Sequence, residues 1–85
     1  MNYQLVFLLR KEEEKETIKK IVDNFGKIIK TENWGEKTLA YPIKKNRRAY
    51  YFNYFIEIEP KKTLELKRKL NFETKLLRYL LLVNN

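Results

Sequence analysis

The sequence predicts an α+β fold in which two helices cover one face of a four-stranded antiparallel sheet. Three observations indicate it: short apolar runs lie near both ends of the chain, a helical pattern adjoins each run, and two long strand-like segments meet at a basic turn in the middle. The chain has 85 residues, of which 44% are hydrophobic, so it has room for one core. We therefore expect a single domain over residues 1–85.

The first strand and the first helix lie in the N-terminal third. Residues 3–9 form a short apolar run that ends at Arg10, which is typical of a central strand, β1. From Glu12 to about Phe25, an apolar stripe with helical spacing predicts helix α1. The stripe consists of Ile18, Ile21, Val22 and Phe25. Gly26 follows directly and is well placed to end the helix.

The middle of the chain predicts a long hairpin. Residues 28–44 form strand β2, interrupted at Trp34 and Gly35, because a glycine inside a strand pattern is typical of a bulge or bend. Pro42 has no N–H group, so β2 belongs at an edge of the sheet. We expect residues 45–48 to form the turn and residues 49–59 to form the partner strand, β3.

The C-terminal part predicts one more helix and one more strand. Pro60 suits the first position of a helix, and Leu66 and Leu70 are spaced by one turn, so α2 is expected over about residues 61–70. Residues 77–83 form the last apolar strand, β4. The order β1-α1-β2-β3-α2-β4 is the split β-α-β, or ferredoxin-like, arrangement. It predicts the sheet order 4-1-3-2, with both helices on one face.

The alternation along β3 predicts which face of the sheet the helices cover. The set that begins with Tyr50 is apolar throughout and should face the core, whereas the set with Asn53 and Glu57 should face outward. We expect an apolar patch on this open face, which either binds a partner protein or is partly exposed without one. The patch residues are Val6, Leu8, Tyr51, Phe55, Leu80 and Leu82.

The charge is strongly asymmetric. The net charge is +8, with +1 in residues 1–43 and +7 in residues 44–85. A basic half on a small aromatic-rich domain favours binding to nucleic acid, and less often to an anionic membrane surface. An AT-rich genome would explain part of the lysine excess but not the asymmetry. Four cations lie at the tip of the hairpin, where they either contact phosphates or only keep the turn soluble: Lys44, Lys45, Arg47 and Arg48.

Composition argues against an enzyme. The chain has no cysteine and no histidine, which excludes thiolate and imidazole catalysis and most zinc and copper sites. Gly26 and Gly35 are the only glycines, so there is no glycine-rich phosphate loop. No apolar segment approaches the ~18 residues of a membrane span. We expect no cofactor, no metal, no small-molecule substrate and no membrane partner.

One segment resembles a known family. Residues 32–45 contain Trp-Gly followed by Leu-Ala-Tyr-Pro-Ile and two lysines, a pattern similar to the bacterial-type small-subunit ribosomal protein number six family. Tyr50 and Tyr51, the Leu-Arg-Tyr-Leu-Leu run of residues 77–81, and Tyr3 also resemble motifs of that family. The resemblance covers essentially the whole chain.

The resemblance implies a ferredoxin-like fold, no catalysis and a place in the platform of the small ribosomal subunit, in the cytoplasm or in an organelle. It also implies binding to the central domain of the small-subunit rRNA together with ribosomal protein number eighteen. An alternative from another class is a free-standing module that associates with itself through its sheet.

From the basic turn and the resemblance together, we expect RNA contacts at Tyr3, Lys37, Lys44, Lys45, Arg47, Arg48 and Arg78. Tyr3 and Arg78 are expected at the end of the contact surface away from the turn. Trp34 is expected to join the apolar patch in binding the partner, although Trp34 and Lys37 each suit either RNA or the partner. The alternative for Trp34 is that it caps the core at the bend.

Overall fold

A computed structural model describes residues 1–84 and contains one four-stranded antiparallel sheet in the order β2-β3-β1-β4. The elements are β1 (Asn2–Leu9), a 3₁₀ turn (Glu12–Glu14), α1 (Lys15–Asp23), β2 (Gly26–Ile43), β3 (Asn46–Ile58), a second 3₁₀ turn (Pro60–Lys62), α2 (Thr63–Phe72) and β4 (Leu76–Val83). The predicted fold and strand order are confirmed. Asn85, the last residue of the predicted domain, lies outside the described residues.

The main core lies between the helices and one face of the sheet. Phe7 is fully buried at its centre, with the ring of Phe52 stacked on it at 5.3 Å and the ring of Tyr54 edge-on at 4.9 Å. The helices contribute Ile18, Ile21, Val22, Leu66 and Leu70. Both helices therefore cover the face that the alternation along β3 predicts.

Gly26 has a different role from the predicted one. Helix α1 ends at Asp23, and Gly26 is the first residue of β2, with a φ outside the left-handed region. A Cβ atom at Gly26 would overlap the carbonyl oxygen of Glu57 and lie 3.0 Å from Cβ of Ile58. Glycine is thus required because β3 passes so close, and not to end the helix.

The predicted bend in β2 is confirmed at Gly35. The register with β3 shifts between Asn33 and Gly35, where the φ of Gly35 is +84°. Oδ1 of Asn33 accepts a hydrogen bond of 2.8 Å from the Gly35 N–H, which fixes the bulge. The strand is an edge of the sheet, as Pro42 indicates.

The predicted turn, residues 45–48, starts one residue late and is two residues too long. Ile43 pairs with Asn46, so Lys44 and Lys45 alone form the turn, with φ values of 49° and 68°. Two-residue hairpin turns with positive φ at both positions match the twist of the flanking strands, which explains this tight connection. As a consequence, Arg47 and Arg48 belong to β3 and not to the turn.

A second, smaller core lies on the open face of the sheet. Leu8, Ala49 and Leu77 are buried there, and Leu39, Ile43 and Tyr51 pack against them. The register between β1 and β4 shifts at this point, so that Leu77 is an extra residue between the partners of Leu9 and Leu8. Leu8 was predicted to lie in an exposed patch, and this is wrong, because the end of the β2–β3 hairpin covers it.

Candidate nucleic-acid and partner interfaces

The end of the hairpin carries three of the cations that the sequence analysis assigns to an RNA contact. Lys44 and Lys45 occupy the turn, and Arg47 follows at the start of β3. All three are exposed. Within residues 1–84, none of them forms a salt bridge. Their charges are therefore available to an external anion.

Arg48 differs from its neighbours because it is already paired. Its Nη2 lies 2.6 Å from Oε1 of Glu36 on β2. The same carboxylate raises the pKa of the Tyr50 hydroxyl, chiefly because that hydroxyl donates a hydrogen bond to it, and also because an ionised tyrosine there would face a negative charge. Arg48 is thus partly neutralised, although its side chain remains largely exposed.

A hydrogen bond joins the hairpin turn to β4. Nζ of Lys44 donates to the carbonyl oxygen of Leu76 at 3.0 Å. Arg78 lies two residues farther along β4, opposite Leu8, and is exposed. Lys44 and Arg78 line one surface recess. Arg78 therefore lies near the turn, and its predicted position at the far end is wrong.

Tyr3 lies at the opposite end of the sheet. It pairs with Ile56 and Val83, and only 8% of it is exposed. Its hydroxyl contacts Sδ of Met1 at 3.6 Å. The burial leaves little of this side chain available to RNA.

Lys37, Trp34 and Tyr51 form a cation–π group beside the bulge of β2. Nζ of Lys37 lies 5.9 Å from the ring centroid of Trp34 and 5.2 Å from that of Tyr51. Trp34 is 44% exposed and belongs to neither apolar core. It does not cap the core, and its ring remains available to a partner.

A polar pair at the centre of the open face was missed by the sequence analysis. Asn53 is buried, and its Nδ2 donates a hydrogen bond of 3.0 Å to Oε1 of Glu32. Nε1 of Trp34 donates to the same oxygen at 3.3 Å, and Nζ of Lys30 lies 3.5 Å from Oε2. The pKa of Glu32 is lowered, chiefly by the hydrogen bond from Asn53 and to a smaller extent by Trp34 and Lys30. A lone asparagine between apolar residues was the available signal.

The remaining apolar patch follows the ladder across β3, β1 and β4. Gln4 lies between Phe55 and Leu82, and Val6 lies between Asn53 and Leu80. Leu80 and Leu82 are 55% and 43% exposed, whereas Val6, Tyr51 and Phe55 are half-buried. With Leu8 beneath the hairpin, the patch is smaller than predicted and is concentrated on β4.

Tyr41 was also missed, although it is 84% exposed. Residues 39–42 lie between the ladder pairs Thr38–Arg48 and Ile43–Asn46 and have no partner on β3. The ring borders an open recess of about 390 Å³ that also includes Tyr51 and Arg78. The signal was Pro42, which prevents continuous pairing at this point.

Two kinds of site are absent from the part of the chain that the structure describes. No group of three or more acidic side chains is arranged to hold a metal ion. No helix there has the length and apolar character needed to cross a bilayer.

A family model described as Ribosomal protein S6 matches residues 2–82. The chain belongs to the ribosomal protein S6 family. Small ribosomal subunit protein bS6 of Rickettsia canadensis (strain McKiel) is 36% identical over 86 residues, covering 92% of this chain and 71% of that protein. The bS6 protein of Methylobacterium nodulans is 35% identical, covering 92% and 64%.

A solved structure agrees with the family assignment. The crystal structure of 30S ribosomal protein S6 from Thermotoga maritima matches with a TM-score of 0.80 and 27% identity, covering 94% of this chain and 83% of that one. The chain is therefore a small ribosomal subunit protein, and the predicted family is confirmed. Membership also confirms the prediction of a structural role rather than an enzymatic one.

Proposed function

We propose that this S6-family chain binds small-subunit rRNA, in the central domain that forms the platform, through the basic end of its β2–β3 hairpin. The observation that carries the proposal is the hydrogen bond from Lys44 to Leu76. It holds the turn against β4 and so brings Lys45, Arg47 and Arg78 to one end of the molecule. Cations gathered in this way neutralise phosphates and release counterions, which supplies affinity and positions the protein without reading sequence.

The open face suits the second predicted partner, ribosomal protein number eighteen. Leu80 and Leu82 are exposed on β4, and Phe55 is half-buried on β3. Glu32 adds a carboxylate to this face, and the hydrogen bond from Asn53 holds it in place among apolar side chains. This combination fits a small basic protein that contributes apolar contacts. The proposed place of action is the ribosome of the cytoplasm or of an organelle.

Salt dependence tests the RNA contact directly. We would measure affinity for a central-domain rRNA fragment, with the partner protein present, from low to moderate salt. The double variant Lys45→Ala/Arg47→Ala should reduce the slope of log affinity against log salt by about two, because two phosphate contacts are lost. The matched control is Lys61→Ala/Lys62→Ala, which removes the same charge near the start of α2 and should leave the slope unchanged.

Equal slopes in all three proteins would remove the hairpin end from the RNA interface. Sedimentation of native lysate gives the complementary result in the cell. The wild-type chain should move with the small subunit at low salt and be released as salt rises. A chain that stays with free proteins at every salt concentration would contradict the proposal.

A second candidate is self-association through the sheet, which is favoured by the exposed apolar residues of β4. Leu80, Leu82 and Val83 are all more than two-fifths exposed on an edge strand. Sedimentation equilibrium at micromolar concentration separates the candidates. The ribosomal proposal expects a monomer, whereas a tight dimer that Leu80→Lys disrupts would support self-association.

A further inference from the structure

The ring of Tyr41 is exposed, although the residues two positions before and after it are packed into the fold. Leu39 and Ile43 pack against the second core on the open face, whereas the ring of Tyr41 between them is 84% exposed. The segment has no partner on β3, and Pro42 cannot donate to one. The fixed neighbours therefore determine where the Tyr41 ring lies, and the ring itself contributes almost no burial to folding.

The surroundings of the ring combine aromatic surface with positive charge. The recess beside it is lined by residues without a carboxylate, and its one charged group is the guanidinium of Arg78. Lys44 and Lys45 follow three and four positions later at the turn. In the described part of the chain, none of these three cations takes part in a salt bridge.

An unpaired nucleotide has the chemistry that matches this arrangement. Its base offers a π-face to an aromatic ring, and its phosphates require cations within a few ångströms. An apolar protein surface would place three unneutralised cations at a dry contact, which is costly. The charge of the site therefore favours RNA over a protein.

We propose that an unpaired RNA base stacks on the ring of Tyr41 while Arg78 and the turn lysines contact the adjoining phosphates. The inference rests on the proposed function, since it requires the hairpin end to face RNA. The phosphate contacts alone would bind any RNA helix. Stacking on Tyr41 would in addition select RNA with an unpaired base at this position. The aromatic side chains of β3 that face the helices cannot stack on a base in the same way because they are buried; Phe52, for example, is only 1% exposed.

The probe is a short single-stranded RNA with one 2-aminopurine base, whose fluorescence falls when it stacks. The full chain is titrated with it at low salt, as are three variants. Tyr41→Phe keeps the ring and should keep both affinity and quenching. Tyr41→Leu should lose the quenching and at least about fivefold in affinity, the effect of one stacked base. Its salt slope should not change, because the cations remain.

Phe72→Leu is the matched control, since Phe72 is also an exposed aromatic, at 85%, but lies on α2 outside the recess. It should behave as wild type.

Tyr41→Leu with full affinity and quenching would overturn the stacking proposal and leave salt-dependent RNA binding standing. Failure of the wild-type chain to bind any RNA would overturn the proposed function itself. Loss of partner-protein binding in Tyr41→Leu, with RNA binding intact, would assign Tyr41 to the protein interface instead.

Discussion

The side-chain amide of Asn53 on β3 donates a hydrogen bond of 3.0 Å to the carboxylate of Glu32 on β2. The two residues are direct partners in the ladder, so the bond crosses the open face at a single register position. Because β3 is also paired with β1, a slip of one residue would turn Glu32 on the edge strand to the core face, where its carboxylate would have to be desolvated. The pair therefore favours one pairing of the long hairpin strands.

The same bond predicts a pH dependence. Hydrogen bonding to Asn53, with smaller effects of Trp34 and Lys30, lowers the pKa of Glu32 below its ordinary value of 4.5. A carboxyl whose pKa is lowered by folding contributes stability above its unfolded pKa and loses it as the pH falls through the folded pKa. The contribution of Glu32 should thus be complete well above pH 4.5 and be lost progressively as the pH falls from there through the lowered pKa of the folded state.

The titration of Glu32 followed by carboxyl NMR shifts provides the measurement. In Asn53→Leu, the midpoint should move up towards the ordinary value, because the largest cause of the shift is removed. Gln4→Leu is the control, since Gln4 lies on the same face but hydrogen-bonds Asn84. A midpoint that does not move in Asn53→Leu would contradict the assigned cause.

The two glycines should respond to alanine for different reasons. Gly26→Ala places a Cβ against the Glu57 carbonyl, so strands must move apart, at a cost of about 2–3 kcal/mol in the free energy of unfolding. Gly35→Ala meets no atom within 4 Å, and its cost of about 1 kcal/mol comes from the left-handed backbone alone. Urea denaturation measures both. Gly35→Asn should cost less than Gly35→Ala, and equal losses for the two alanine variants would contradict the steric explanation.

Replacement of Lys45 by glycine should raise stability and weaken RNA binding. Its φ of 68° is unfavourable for a residue with a Cβ, so Lys45→Gly should raise the free energy of unfolding by about 1 kcal/mol. The same change should lower the salt slope of RNA binding by about one. In contrast, Arg47→Gly, in regular β3, should lower both quantities. Destabilisation by Lys45→Gly would show that the turn is not strained.

Phe7 should be far more sensitive to substitution than an exposed aromatic, because it lies at the centre of the main core. Phe7→Leu loses the stacked contact with Phe52 and the edge contact with Tyr54 and leaves a small void. We expect a loss of about 1–2 kcal/mol in urea denaturation. Phe72→Leu is the comparison at an exposed site and should change stability by less than about 0.5 kcal/mol. Similar effects at both positions would contradict the central role of Phe7.

The sequence was sufficient for the fold because strong periodic signals determine it. The alternation of Ile56 and Ile58 with Glu57, and the stripe of α1, each match one secondary structure and one face. The edge position of β2 followed from Pro42 and from the strand order of the ferredoxin-like arrangement. Such signals are local, so one sequence is enough to recognise them.

The parts that were missed depend on non-local geometry. The turn was predicted too late because Lys44 and Lys45 are not typical turn residues, and only the pairing of Ile43 with Asn46 requires their positive φ. The burial of Leu8 depends on the far end of the hairpin and on the extra residue in β4. Asn53 and Glu32 are 21 positions apart, and no pattern in the sequence connects them.

The presence of a second core also divides the molecule into two parts that should differ in the free energy of local opening. Strand β1 ends at Leu9, opposite Tyr50, so the hairpin beyond this point is stabilised by the small cluster of Leu8, Ala49 and Leu77 rather than by the helices. This outer arm has the means to open and close as a unit while the main core stays intact, and its amides should exchange with solvent sooner. Since Lys44, Lys45 and Arg47 of the proposed RNA contacts lie on this arm, we expect RNA binding to favour its closed form and to confine the ordering that binding requires to a few residues.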